Sequence, residues 1–320
     1  MEQKLISVIM TTYNERIEEL NEAINSILDQ TYPNFELIII LDNPENLELK
    51  KTINALAEVD QRIRFFVNEK NLGLAPSLNK AIGLTQGEFI ARMDADDISF
   101  SDRLAVELNL IEEHQYDVVT SSATFIDEEG KIIGSHDPIL RLPEHIAKLL
   151  PYGSNLVHPS AFFRGSVLRE FGYHPYPTAE DYDLWLRLAA HQKRIAGVSS
   201  ELIKYRIRKN SMTQSNKFQM FLTAQYLRSK FRAGTLDYFD EDDYKNFLNK
   251  YGYNPEKKAE FSRVVNGFSE ALGNLRRFKF SGVKALMPLL EDKIYRDYFR
   301  NSYQYKKKYR KLITLEQHLA

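Results

Sequence analysis

The sequence predicts an α/β protein built on a mainly parallel sheet and continued by a helical appendage. Three observations carry this. Short apolar, β-branched runs alternate with segments of helical spacing through the first hundred residues, the pattern of βαβ units. The strand-like runs are almost continuously apolar, as in a sheet covered on both faces. From about Ser215 the alternation stops, and polar, Tyr/Phe-rich helical sequence takes over. The chain therefore divides into residues 1–214, the sheet domain, and 215–320, a basic helical region.

In order, Leu5 to Met10 reads as a strand, Ile17 to Leu28 as a helix with apolar residues at Ile17, Leu20, Ile24, Ile27 and Leu28, and Phe35 to Leu41 as a second strand. Leu47 to Leu56 reads as a helix, Ile63 to Val67 as a strand, Leu74 to Leu84 as a helix and Phe89 to Met93 as a fourth strand. Arg103 to His114 is helical, Asp117 to Phe125 a strand and Asp127 to Gly130 a turn. Gly153 to Tyr182 is irregular; a helix over Tyr182 to Ala190 and short strands near Ile195 and Ile203 follow. In parallel sheets ligands gather beyond the C-terminal strand ends. Here those positions are Thr11 to Glu15, Asp42 to Pro44, Asn68 to Gly73 and Asp94 to Asp97.

Composition bounds the chemistry. With 320 residues, 43% of them hydrophobic, the chain can bury a substantial core. No apolar run approaches the ~18 residues that span a bilayer, and no basic stretch precedes an apolar one at the N-terminus, so neither a membrane span nor a signal peptide is expected. The absence of cysteine excludes disulfides and thiolate metal sites and fits the cytoplasm. A bound metal must use oxygen or imidazole ligands. Residues 201–320 hold 25 Lys/Arg against 13 Asp/Glu, whereas residues 1–200 hold 18 against 31. A basic half points to an anionic partner, or to a drift of surface charge along the chain.

Asp94, Asp96 and Asp97 follow the fourth strand. Carboxylates at that spacing can converge on a hard cation such as Mg²⁺ or Mn²⁺, which in turn neutralises a diphosphate. Asp-x-Asp occurs three times, also at Asp181/Asp183 and Asp240/Asp242. Only the first ends an apolar strand; Asp240 to Asp243 reads as a helix cap or a solvated face.

Five segments in order, ISVIMTTYNE (Ile6–Glu15), KNLGLAPSLNKAI (Lys70–Ile82), GEFIARMDADDISFSDRL (Gly87–Leu104), HPSAFFR (His158–Arg164) and EDYDLWLRL (Glu180–Leu188), resemble family 2 glycosyltransferases. The resemblance covers residues 5 to about 210, and the ordered set is specific where no single member is. It implies the GT-A fold, a Rossmann-like mixed sheet flanked by helices, and inverting transfer from a UDP-sugar with Mn²⁺ or Mg²⁺. The branch most resembled builds bacterial capsule and other surface glycans, so a hexose or N-acetylhexosamine donor and an oligosaccharide or lipid-diphosphate-linked acceptor are implied.

Residue by residue, the resemblance implies that Thr11, Tyr13 and Glu15 line the nucleotide pocket, with Tyr13 against the base. It implies that Asp42 accepts from uracil, that Asn71 and Gly73 meet the nucleotide or its ribose, and that Arg92 and Asp94 meet the ribose or donor sugar. Asp96 would hold the metal, His158 would lie near metal or acceptor, and Asp97 would bind nearby or cap a helix. Asp181 would be the catalytic base and Glu180 would bind acceptor hydroxyls. Two departures stand out. Asp42-Asn43-Pro44 replaces the frequent Asp-Asp-Gly-Ser, and Tyr205-Arg206-Ile207-Arg208 puts Arg where His is common. Arginine has no lone pair for a metal but binds phosphate well, so Arg206 or Arg208 is expected to face the diphosphate.

The positives at Arg276, Arg277, Lys279 and Lys306 to Lys311, interleaved with aromatics, are expected to dock an anionic membrane at the inner face of the cell. A homodimer contact is the next reading, and nucleic acid is not expected. A nucleotidyltransferase or dehydrogenase would want glycines after the first strand, and Thr11 to Arg16 has none; no P-loop is present. The remaining alternative is a catalytically inactive GT-A scaffold that binds glycan or membrane.

Overall fold

The computed structural model describes residues 3–208, 216–276 and 292–319; Arg277 and Lys279 lie outside the described residues. The first half follows the predicted alternation: β1 (Ile6–Thr12), α1 (Ile17–Leu28), β2 (Phe35–Leu41), α2 (Leu47–Val59), β3 (Ile63–Val67), α3 (Leu74–Leu84) and β4 (Phe89–Asp94). Then come β5 (Ile98–Ser99), α4 (Arg103–Glu113), β6 (Val118–Ile126), β7 (Ile132–Ser135) and α5 (Pro143–Leu149). A 3₁₀ turn at His158–Ser160 leads into β8 (Phe162–Arg164), α6 (Gly165–Phe171), α7 (Glu180–Ala190) and β9 (Ile195–Arg206). The C-terminal helices are α8 (Lys217–Ala233), α9 (Glu241–Lys250), α10 (Pro255–Arg276) and α11 (Lys293–Leu319). Among the described residues no helix is long and apolar enough to cross a membrane.

One mixed sheet runs in the order β3-β2-β1-β4-β8-β6-β9-β5, with β7 paired to β6. β3, β2, β1 and β4 are parallel. β8 is antiparallel to both of its neighbours, β4 and β6. The sheet is therefore less parallel than the strand–helix alternation alone implies, because the short β8 enters from the irregular stretch before α7.

Continuous apolar strands are needed because both faces are covered. Along β2, Leu37, Ile39 and Leu41 join Leu20, Ile24 and Ile27 of α1 and Leu104 and Ile111 of α4 in one core. Ile38 and Ile40 point the other way, into the core that holds Leu78 of α3 and Trp185 of α7. The period-2 alternation is present but hidden, since both faces are dry. The second core continues without a break into Phe218, Leu222 and Tyr226 of α8, Phe261 of α10 and Leu312 of α11. The C-terminal helices thus pack onto the sheet domain. Glu316 of α11 is buried and accepts from the backbone N–H of Arg141 (2.8 Å) and Leu142 (3.0 Å).

Candidate active site

The parallel strands β1, β2 and β4 end at one rim, and a cavity of about 690 Å³ opens there. Thr11, Tyr13, Glu15, Asp42, Asn71, Gly73, Arg92, Asp94, Asp96, His158, Glu180, Asp181, Arg206 and Arg208 all line it. So do Ala179 and Met220, which the sequence did not single out, and Thr12 and Tyr205, to which it gave no role.

The nucleotide-side residues are held by their own loops. Glu15 Oε2 accepts from Thr12 Oγ1 (2.5 Å) and from the Tyr13 backbone N–H (2.7 Å), which fixes the turn after β1. The Tyr13 ring stays 43% exposed. Asp42, expected to face a base, is buried and already accepts from Asn68 Nδ2 (2.7 Å), Leu72 N (2.8 Å) and Gly73 N (2.8 Å). In this structure it ties the end of β2 to the start of α3. Gly73 has φ +87° and ψ 171°, a backbone region essentially reserved for glycine.

Asp94, Asp96 and Asp97 each present a carboxylate oxygen within 4.8 Å of the others. Arg92, buried beneath them, forks onto both oxygens of Asp94, with Nη1 2.8 Å from Oδ2. Asp97 does not cap α4, which starts after Asp102. Its Oδ1 instead accepts from the Arg206 backbone N–H (2.8 Å), and its buried Oδ2 has no partner among the described residues. Burial, reinforced by the neighbouring carboxylates, pushes Asp96 up to about 7 and Asp97 well above the usual carboxylate range. An orphaned buried oxygen among crowded carboxylates fits a hard divalent cation, which takes oxygen ligands and relieves that repulsion.

The other cavity residues divide by what already holds them. His158 is not in the carboxylate group. Burial, and then Arg92, holds its imidazole well below the usual range, and Nε2 shares a 2.8 Å hydrogen bond with the Tyr173 hydroxyl. Arg206 is buried and turned into the protein. Nε donates to Asp96 O (2.8 Å), Nη1 to Asp127 O (3.1 Å) and Nη2 to Glu22 Oε2 (2.7 Å). Arg208 is 27% exposed in its side chain and bridges Asp96 and Glu19.

Glu180 and Asp181 open α7. Ala179 before them has φ 61°, a left-handed turn that a non-glycine residue rarely adopts and that aims both acids into the cavity. Asp181 Oδ1 accepts from Tyr182 N at 2.7 Å. Burial raises both carboxyls: Asp181 above its ordinary value despite that bond and Arg92, and Glu180 up to about 7 with help from the Asp181 charge. The other two Asp-x-Asp pairs are structural at their second or first member. Asp183 is buried on Arg187 Nε (2.8 Å), and Asp240 caps α9 by accepting from Asp243 N.

Residues 7–172 match the model of glycosyl transferase family 2. The chain is 36% identical over 225 residues to the uncharacterized glycosyltransferase MJ1057 of Methanocaldococcus jannaschii, covering 69% of this chain and 78% of that one. It is 33% identical over 241 residues to the O-antigen biosynthesis glycosyltransferase WbnJ of Escherichia coli, covering 73% and 92%. In fold it is similar to S. aureus TarS 1–349 crystallised with UDP, at TM-score 0.59 and 20% identity over 96% of this chain and 91% of that one. The same portion of TarS with UDP-GlcNAc gives TM-score 0.55 and 19% identity, covering 72% and 71%. The sheet, its flanking helices and these likenesses are those of a GT-A glycosyltransferase, and the chain belongs to glycosyl transferase family 2.

Proposed function

We propose that the protein transfers a hexose or N-acetylhexosamine from a UDP-sugar to a saccharide acceptor with inversion, in the synthesis of a bacterial surface polysaccharide. The observation that carries this is that the Asp94–Asp97 carboxylates and the Glu180–Asp181 pair line the same cavity. Relatives named for O-antigen and amylovoran biosynthesis support the pathway class, and TarS crystallised with UDP-GlcNAc supports the donor class.

In this reading the uridine lies along the ends of β1 and β2, with the exposed Tyr13 ring against the base. Asp96 and Asp97 would hold Mn²⁺ or Mg²⁺, which when bound would supply charge neutralisation to the diphosphate. Arg92 keeps Asp94 fixed toward the ribose and donor sugar. Asp181 accepts the proton of the acceptor hydroxyl while that oxygen attacks the anomeric carbon. The bond from that carbon to the diphosphate breaks on the opposite face, and UDP leaves with the electron pair. A carboxyl raised by burial is a stronger base than a free one, and Glu180 holds a neighbouring acceptor hydroxyl. The C-terminal region, residues 215–320, serves as a docking region for an anionic membrane that carries a lipid-linked acceptor.

A thermal-shift series tests the donor site. UDP at 100 times its Kd stabilises by ~2.7 kcal/mol, and we expect that shift with UDP plus Mn²⁺, lost with EDTA and with Asp96→Ala. GDP and CDP give smaller shifts. Asp181→Asn keeps the UDP shift and loses sugar transfer. No shift with any nucleotide, at any Mn²⁺ concentration, would overturn the reading.

A further inference from the structure

We infer that Arg208 is a resident cation on Asp96 that a divalent ion must displace, so that the ion and a nucleoside diphosphate bind as a coupled pair. The inference rests on the donor site proposed above and adds a residue-level rule for how that site fills.

Among the described residues three arginines line the cavity, and they are held differently. Arg92 and Arg206 have side chains that are 3% and 2% exposed, and their donors go to Asp94 and to protein carbonyls and Glu22. Arg208 is 27% exposed. Its Nη2 donates to Glu19 Oε2 at 2.5 Å. Its Nε lies 2.9 Å from Asp96 Oδ2, yet is not aligned to hydrogen-bond with it. The contact with Asp96 is therefore ionic and weakly directional, the kind most easily broken.

Asp96 belongs to the carboxylate group in which Asp97 Oδ2 is buried and unpartnered. A guanidinium has donors and no lone pair, so it competes with a divalent ion for Asp96 and cannot join its ligands. Two cations on one carboxylate also repel each other. An ion arriving alone must break the Arg208–Asp96 pair and leave the guanidinium uncompensated on that side. An ion arriving with a diphosphate brings anionic oxygens, the acceptors that a guanidinium binds best. Displacement is then offset, and the coupling is reciprocal: nucleotide tightens ion binding by the factor that ion tightens nucleotide binding. Glu19 keeps Arg208 tethered through the exchange.

Mn²⁺ binding to the full-length protein, followed by electron paramagnetic resonance or titration calorimetry with and without UDP, tests this. In the wild type Mn²⁺ alone binds weakly and UDP tightens it by at least tenfold. In Arg208→Ala and Arg208→Gln, Mn²⁺ alone binds about tenfold tighter than in the wild type, and the gain from UDP shrinks by a similar factor. Arg208→Lys keeps the charge and stays near the wild type. A misfolded variant cannot bind the ion more tightly, so the sign separates competition from damage, and two neutral variants guard against one that fails to fold. If Mn²⁺ alone binds either neutral variant no more tightly than the wild type while UDP with Mn²⁺ still binds, the inference fails and the donor site stands. If the wild type binds neither Mn²⁺ nor UDP, the donor-site reading fails and takes the inference with it.

Discussion

Glu180 and Asp181 are adjacent acids with unequal surroundings. Both are raised by burial, but Asp181 keeps a backbone donor from Tyr182, whereas the charge of Asp181 pushes Glu180 further, to about 7. A raised carboxyl takes up its proton as pH falls through its own pKa, so Asp181, held above its ordinary value by burial, loses base strength at a higher pH than a free carboxylate would. The kcat/KM profile should therefore rise with pH on a limb above the usual carboxylate range and level off beyond it. Glu180→Gln removes one of the two charges that hold the proton, so the limb should move to lower pH while transfer persists at reduced rate. An unmoved limb would show that the acids titrate independently. The residue types at 180 and 181 were legible in the sequence; the turn that aims them was not. Alanine carries no signal for a left-handed φ, and the helix it precedes is anchored by Tyr182 and Trp185, both buried in the core.

At the scale of elements, what the sequence revealed tracks periodicity. α1, α2, α3, β2 and β3 lie where the apolar spacing put them, within a few residues at one end of α2. β5 and β8 span two and three residues, β7 is exposed throughout and so carries no apolar alternation, and α5 and α6, at seven residues each, hold barely two helical turns, too little for a period to declare itself. The two short strands read near Ile195 and Ile203 are one strand, β9. Its polar middle, with Ser199 to Glu201 exposed, shifts register against β6 between Ser121 and Ala123, and so interrupts the apolar pattern. Asn-x-Gly at Asn71 to Gly73 is an ordinary turn signature, yet here it opens α3 with the Gly73 N–H on Asp42. A Cβ at Gly73 would meet no atom within 4 Å, so Gly73→Ala tests backbone strain alone. We expect a loss of about 1–3 kcal/mol, read as a melting temperature lower by several degrees, together with a weaker UDP shift. An unchanged melting temperature would show that the loop relaxes to another conformation without cost.

The whole molecule divides its charge as the sequence does, and α11 shows how. Tyr305, Tyr309, Leu312 and Glu316 face the sheet domain, with Tyr309 Oη donating to Pro138 O at 2.6 Å and Glu316 on the 141–142 backbone. At 100° per residue, Tyr303, Lys306, Lys307, Arg310 and Lys311 fall in an arc of about 140° on the opposite side, and all five are exposed. A run of Lys and Tyr that looks like a simple cluster in sequence is thus split by the helix into a docked stripe and a free basic stripe. The free stripe is what an anionic surface would meet, and each basic residue near such a surface strengthens binding roughly fivefold. The protein should therefore sediment with vesicles that contain anionic lipid and stay in solution with neutral ones. Raising the salt should release it, since the attraction is screened. Changing Lys306, Lys307, Arg310 and Lys311 together to Gln leaves the docked stripe untouched and should weaken vesicle binding by more than tenfold at unchanged melting temperature. If the variant sediments like the wild type, the basic stripe is not the membrane contact. If instead its native mass falls by half, the stripe holds a second copy of the chain.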